Sequence, residues 1–243
     1  MRFIQAPGGS LGKLAADLVV EAIRQNNTIT MTTPTGSTPI PLYRALRTRC
    51  IRGELSFARA TVFMLDEYVD LPGYPARSFS HFLDEHLGPL LSETTLHRLD
   101  PVRDGADPAR YDAAIDVAGG LDLAIVGVGR NGHVGFNEPG ATDDQRTHVV
   151  TLTPETLADN FPGEEPTNRP TRAVTIGLRD LRAAREVLML VSGAAKGHVL
   201  ARLLKGQRVE GIPATHLLTA NLTVVADESA LAAAYTLETP ETP

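Results

Sequence analysis

The chain has 243 residues, 42% of them hydrophobic and 21% charged, which suits one α/β domain with a buried core. Its net charge of −6 argues against nucleic acid or an anionic membrane surface as a partner. Cys50 is the one cysteine, so no intrachain disulfide forms, and no apolar run approaches the ~18 residues of a membrane span. The N-terminus lacks a signal-peptide pattern, so the cytoplasm is the expected compartment. Along the chain, strand and helix patterns alternate. Phe3 to Ala6 reads as a strand, and Leu14, Leu18, Val19 and Ile23 as a helix face. Residues 28–32 are β-rich and lead into a Pro/Gly/Thr loop, and Leu42, Ala45 and Leu46 then resume helix spacing. Residues 61–65 form a buried strand ending at Asp66 and Glu67. Phe79, Phe82, Leu83, His86, Leu87 and Leu90 mark a further helix face, and Asp107 and Pro108 open another helix. Strands follow at 121–126, 148–152, 173–176, 187–191 and 222–226, with helices between most of them. Residues 160–170 hold three prolines and a glycine. They lie inside the domain and read as a mobile lid, within a wider span of 155–172.

Alternating units of this kind predict a Rossmann-like, three-layer α/β fold over residues 1–243. Its mostly parallel sheet is flanked by helices on both faces. Sites in such folds lie beyond the C-terminal ends of the strands. The polar clusters Thr35–Thr38, Asp66–Glu67, 129–138 and Lys196 all come after apolar strand runs, so they are expected to converge.

The glycine-dense stretch from Val128 to Pro139 carries the most chemistry. Glycines let the backbone approach a ligand. His133 can move protons near neutral pH, and Glu138, five residues on, can sit behind the imidazole. Residues 127–132 also match the dinucleotide pattern Gly-x-Gly-x-x-Gly. The next residues, His-Val-Gly-Phe-Asn-Glu-Pro, do not open a helix, however, and no acid ends the next strand, so that reading is set aside. In Thr35, Gly36, Ser37 and Thr38, backbone N–H groups and hydroxyls can cradle a phosphate; by spacing alone the stretch is equally a capped helix start, with Thr38 as N-cap and Pro39 at the first helical position. Lys196, at the start of a helix, opposes the helix dipole, a conflict that a phosphate counter-ion would relieve. Asp66 and Glu67 point to opposite sides of a strand, so one of them enters a site, where a partly desolvated carboxylate can act as base toward a carbon-bound proton. Cys50 lies near a helix end and has no strand-to-turn setting for a nucleophile. No histidine pair has zinc spacing, so no metal is expected.

Pro-Thr-Gly-Ser-Thr-Pro at 34–39, Leu-Asp-Glu-Tyr-Val at 65–69, Gly-Val-Gly-Arg-Asn-Gly-His-Val-Gly-Phe-Asn-Glu-Pro at 127–139, and Lys196 together resemble the glucosamine-6-phosphate deaminase family, which is related to the 6-phosphogluconolactonases. The resemblance runs from the first strand to the last. It implies a cofactor-free aldose–ketose isomerisation with deamination, in amino sugar catabolism. D-glucosamine 6-phosphate and water would give fructose 6-phosphate and ammonium. His133 would open the sugar ring, with Glu138 orienting it and Asn131 in the same catalytic loop. Asp66 would carry a proton from C2 to C1, and Gly36, Ser37, Thr38 and Lys196 would hold the phosphate.

The chain departs from the family in three places. Asn131 stands where many members have Asp. The lid arginine that grips the phosphate in many members is missing from residues 157–163, leaving Arg169 and Arg172 as candidate lid contacts. The segment after Asn-Glu-Pro keeps Arg146 but has His148 and Val150 where allosteric members are basic, so no activation by N-acetylglucosamine 6-phosphate is expected. The expected partner is a small sugar phosphate, and monomer and homo-oligomer both stay open. The alternatives are a galactosamine-6-phosphate deaminase, a 6-phosphogluconolactonase and a non-catalytic sugar-phosphate sensor. The sensor is disfavoured by the joint presence of Asp66, His133 and Glu138, and because no room precedes the first strand for a DNA-binding helix pair.

Overall fold

The computed structural model describes residues 1–71, 76–92, 94–100 and 107–237. The single-domain expectation over 1–243 therefore includes 72–75, 93, 101–106 and 238–243, which lie outside the described residues. In chain order the elements are β1 (Arg2–Ala6), α1 (Leu11–Gln25), β2 (Thr30–Thr33), α2 (Ile40–Ile51), β3 (Thr61–Met64), β4 (Asp66–Tyr68), α3 (Phe79–Leu91), β5 (Thr95–His97), α4 (Pro108–Val117) and β6 (Leu123–Gly127). They continue with β7 (His148–Thr151), α5 (Pro154–Asn160), β8 (Arg172–Thr175), α6 (Leu178–Ala183), β9 (Glu186–Val191), α7 (Gly197–Leu204), β10 (Leu222–Asp227) and α8 (Glu228–Thr236).

Seven strands form one parallel sheet in the order β1-β10-β9-β6-β2-β3-β5. The period of two divides their side chains between two cores. Met31, Val62, Met64, Leu123, Ile125, Leu188, Leu190 and Val225 face α1, α2 and α3. Their neighbours Phe63, Ala124, Val126, Val187, Met189, Val224 and Ala226 face α4, α6, α7 and α8. The result is the three-layer, Rossmann-like α/β fold with helices on both faces of a parallel sheet. Short polar residues start some of the helices: Ser78 accepts from the His81 N–H at 3.0 Å, and Asp107 accepts from Ala109 and Arg110 N–H, satisfying donors that the first helical turn leaves open.

Four features differ from the sequence expectation. The strand at 61–65 does not simply end at Asp66 and Glu67. The chain turns at Leu65, and residues 66–68 join a second, antiparallel sheet in the order β4-β8-β7. The strands at 148–151 and 172–175 belong to that sheet and not to the main one. Alternation of strand and helix breaks between β6 and β7, where residues 128–147 form an extended loop. Thr38 does not cap α2: Pro39 holds the N-cap position with helical φ and ψ, and no side chain bonds there. A turn with Ile40 N–H on the Ser37 carbonyl precedes the helix, which leaves the Thr38 hydroxyl outside the helix start.

Strand order reverses between β2 and β6, and this is where a doubly wound sheet opens a crevice. The β2–β6 ladder registers one pair, Met31 with Leu123. Beyond it, the Thr32 hydroxyl accepts from Ile125 N–H and donates to Ile125 C=O, both at 2.9 Å. Thr32 is fully buried. Thr32→Val keeps the shape but strands both backbone groups, and should cost about 2–4 kcal/mol. The urea-unfolding midpoint checks this, and a loss within measurement error would contradict it.

Candidate active site

A cavity of ≈660 Å³ opens at this reversal. Thr35, Gly36, Ser37 and Thr38 line it from the loop after β2, and Gly129, Arg130, His133 and Gly135 from the loop after β6. Asp66 closes its floor, Lys196 lies beyond β9, and Asp159 and Asn160 reach in from α5. The clusters expected to converge thus share one cavity. Asn131 and Glu138 stand behind His133 and do not line it.

The loop after β6 owes its shape to two close approaches. The His133 ring lies across Gly129, where a Cβ would sit 2.3 Å from the imidazole. Gly135 has φ +57°, and a Cβ there would press on the Thr175 hydroxyl at 2.6 Å and on Asp66 at 3.3 Å. Both glycines are demanded by packing, and Gly135 by conformation as well. The loop folds back through a short bridge between Val134 and Asn137, and the Asn137 amide donates to the Val134 and Ile176 carbonyls at 2.8 Å. No helix follows residues 127–132, in agreement with setting the dinucleotide pattern aside.

Glu138 is buried, with His133 Nδ1 3.7 Å from its Oε1. That is an ion-pair distance and not a hydrogen bond. Asn131 donates its amide to Glu138 Oε2 at 2.8 Å and accepts from His133 N–H at 3.1 Å. The Thr156 hydroxyl on α5 donates to Oε1. Burial alone would raise the Glu138 pKa, but His133, Thr156 and Asn131 outweigh it and hold the carboxyl below its ordinary range. Behind the imidazole there is therefore a firmly ionised carboxylate.

Asp66 is in the opposite condition. It is 5% exposed, and its Oδ1 is buried without a partner. Burial, and then the neighbouring Glu67, push its pKa well above the carboxylate range. Glu67 points the other way and accepts from the N–H groups of Tyr68, Phe79 and Ser80 at 2.8–3.0 Å, tying β4 to the start of α3. Only one of the two acids enters the cavity. Lys196 is half-buried at the start of α7, and burial lowers its pKa against the pull of Asp159.

Neither lid arginine candidate lines the cavity. In the β4–β8 register Thr175 stands opposite Asp66 and Ala173 opposite Tyr68. Arg172 thus falls about 10 Å from Asp66 at ~3.4 Å per residue, half-exposed and 3.7 Å from Asp70. Arg169 donates to the Glu164 carbonyl, with its Nε buried and unpartnered. Within the expected lid span, Phe161 lies against Tyr68, and Arg77 pairs with Glu164 at 2.6 Å and lies over the Phe161 ring. Sequence reasoning missed Thr156, Asp159 and Asn160, whose spacing of three and four places them on one helix face, and Arg130, which lay inside the motif unassigned. Among the described residues, no helix is long and apolar enough to cross a membrane, and no cluster of three or more His, Cys, Asp or Glu could hold a metal.

The raised Asp66 pKa has a consequence for stability. Where its pKa is higher folded than unfolded, the native state holds a proton that the unfolded chain has released. Stability is then lost as pH rises from the ordinary carboxylate range through the folded pKa. Asp66→Asn removes this loss. The variant should be more resistant to urea than the wild type at pH 8, with the gap narrowing toward pH 4. A wild type that is the more stable form at pH 8 would refute the assignment.

Residues 8–226 match the family described as glucosamine-6-phosphate isomerases/6-phosphogluconolactonase. Glucosamine-6-phosphate deaminase of Shouchella clausii is 37% identical over 234 residues, 93% of this chain and 94% of that protein. Glucosamine-6-phosphate deaminase 2 of Bacillus subtilis is 35% identical over 229 residues, 90% and 92% of the two chains. A solved monomeric glucosamine-6-phosphate deaminase superposes with a TM-score of 0.86 at 30% identity, covering 96% of this chain and all of that one. The 6-phosphogluconolactonase of Thermotoga maritima shares the fold, with a TM-score of 0.72 at 22% identity over 93% and 98% of the chains. With its cavity at the strand reversal and these similarities along nearly its whole length, the chain belongs to the glucosamine-6-phosphate isomerase/6-phosphogluconolactonase family.

Proposed function

We propose that the protein converts D-glucosamine 6-phosphate and water to D-fructose 6-phosphate and ammonium, a step in amino sugar catabolism. One observation carries this reading. Of the three buried carboxylates at the site, Asp66 alone faces the cavity with a buried oxygen that nothing in the protein occupies. Glu67 is bonded by three backbone N–H groups, and Glu138 by Asn131 and Thr156. A hydrolase acting on a lactone needs a base for water, which His133 supplies. A free, desolvated carboxylate beside that histidine is what an enzyme needs to move a proton between adjacent carbons.

In this reading the phosphate lies against Gly36, Ser37, Thr38 and Lys196. His133 takes the O1 proton and returns one to the ring oxygen, which opens the pyranose. Glu138 stabilises the imidazolium that forms between these transfers. Asp66 removes the C2 proton while O1 takes one from the substrate's own ammonium group, giving an enolamine, and Asp66 then delivers its proton to C1, leaving a protonated imine at C2. Water adds to that imine and ammonium departs. The segment around α5 acts as the lid.

The test is ammonium release from glucosamine 6-phosphate. Asp66→Asn should lower kcat by at least about a hundredfold, the scale of a lost general base. Galactosamine 6-phosphate is assayed beside it to settle the C4 epimer. Hydrolysis of 6-phosphogluconolactone with no ammonium from either amino sugar would overturn the reading. A second outcome concerns pH. Asn131→Asp replaces a donor to Glu138 with a like charge, so the Glu138 pKa rises, and the acid limb of the kcat/KM profile should move to higher pH. An unshifted acid limb would show that Glu138 does not govern it.

A further inference from the structure

Two long cationic side chains, Lys196 and Arg130, line the cavity among the described residues. They arrive from different strands, Lys196 after β9 and Arg130 from the loop after β6. Arg130 is engaged by Asp159 in a two-pronged pair: its Nε donates to Oδ2 at 2.8 Å, and a terminal nitrogen donates to Oδ1. Asp159 also lines the cavity, and its field reaches Lys196. The pair is accessible, with the Arg130 side chain 50% exposed and that of Asp159 27%. Planar guanidinium bonded by two parallel oxygens is the geometry that carboxylate and phosphate share. A carboxylate thus occupies an arginine fork at the wall of a cavity that Lys196 also lines.

The charges argue for exchange. A phosphate dianion drawn to Lys196 meets Asp159 as a like charge in the same cavity, and that repulsion falls if the phosphate takes the fork that Asp159 holds. We propose that Arg130 is the second cation that grips the substrate's phosphate, and that Asp159 is a built-in placeholder which the phosphate displaces. The inference rests on the proposed sugar-phosphate substrate and adds to it a binding residue from the catalytic loop itself. It also explains how the site manages with Arg169 and Arg172 turned away. Displacement acts on α5, which carries Thr156 on Glu138 and Asn160 on the Tyr68 hydroxyl.

The experiment titrates the full-length protein calorimetrically with inorganic phosphate and measures KM for glucosamine 6-phosphate in parallel. Arg130→Gln should weaken phosphate binding and raise KM by about tenfold, one charge-assisted fork. Asp159→Asn should tighten phosphate binding by about threefold or more, since it removes the competitor. In the double variant the Asp159→Asn gain should largely disappear, because it acts through the freed fork. Arg130→Lys, which keeps the charge but not the fork, should recover part of the affinity. Phosphate affinity unchanged in Arg130→Gln, weaker binding in Asp159→Asn, or no phosphate binding by the wild type would each overturn the inference. If these affinities shift as expected but no ammonium is released, the proposed reaction falls and the phosphate assignment stands. If ammonium is released and Arg130→Gln leaves KM untouched, the reaction stands and this inference falls.

Discussion

Between β2 and β6 the strand order of the parallel sheet reverses, and the Thr32 hydroxyl bonds both backbone groups of Ile125 across the gap. Everything at the site hangs from that seam. The loop after β2 supplies Thr35–Thr38, and the loop after β6 supplies Arg130 and His133. Because consecutive connections leave the reversal toward opposite faces, neither loop covers the crevice between the strand ends. A ligand can therefore be met by backbone N–H groups from one side and by an imidazole from the other, without the fold having to open.

Environment assigns different work to three buried carboxylates. Glu67 accepts three backbone N–H bonds and serves as a tie between β4 and α3. Glu138, bonded by an amide and a hydroxyl and facing an imidazole, is held ionised. Asp66 is desolvated with an oxygen left over, so its charge is costly and its basicity is raised. Folding stability is spent on this last group, as is usual where reactivity is needed. The geometry around Asn131 also rationalises an amide at that position: an aspartate would oppose Glu138, whereas the amide both donates to it and receives the His133 N–H.

The short helix α5 joins the mouth of the cavity to the residues behind His133. Within little more than one turn it reaches Glu138 through Thr156, Arg130 through Asp159 and Tyr68 through Asn160. The aromatic group of Tyr68, Phe79, Phe136 and Phe161 anchors the segment from beneath. Only a few bonds thus separate the cavity mouth from the carboxylate behind the histidine.

Local periodicity made the main sheet and its helices legible. Period two in β3, β6, β9 and β10 and helical spacing in α1 and α3 each depend on neighbours in sequence. The glycine-rich loop was legible for the same reason: His133 and Glu138 meet within a single turn of chain. The break at Leu65 was not, because β4 leaves the main sheet only by pairing with β8, a partner remote in sequence. That register in turn decided that Arg172 faces Asp70 and not the cavity, where the family resemblance had made it a candidate. Arg130 and Asp159 likewise acquire meaning only when α5 folds across the loop after β6. The sequence by itself determined which strands alternate, where the loops fall and which side chains can move protons, since those depend on local spacing. The tertiary structure alone decided which cations line the cavity and which carboxylate is buried without a partner, because both depend on long-range packing.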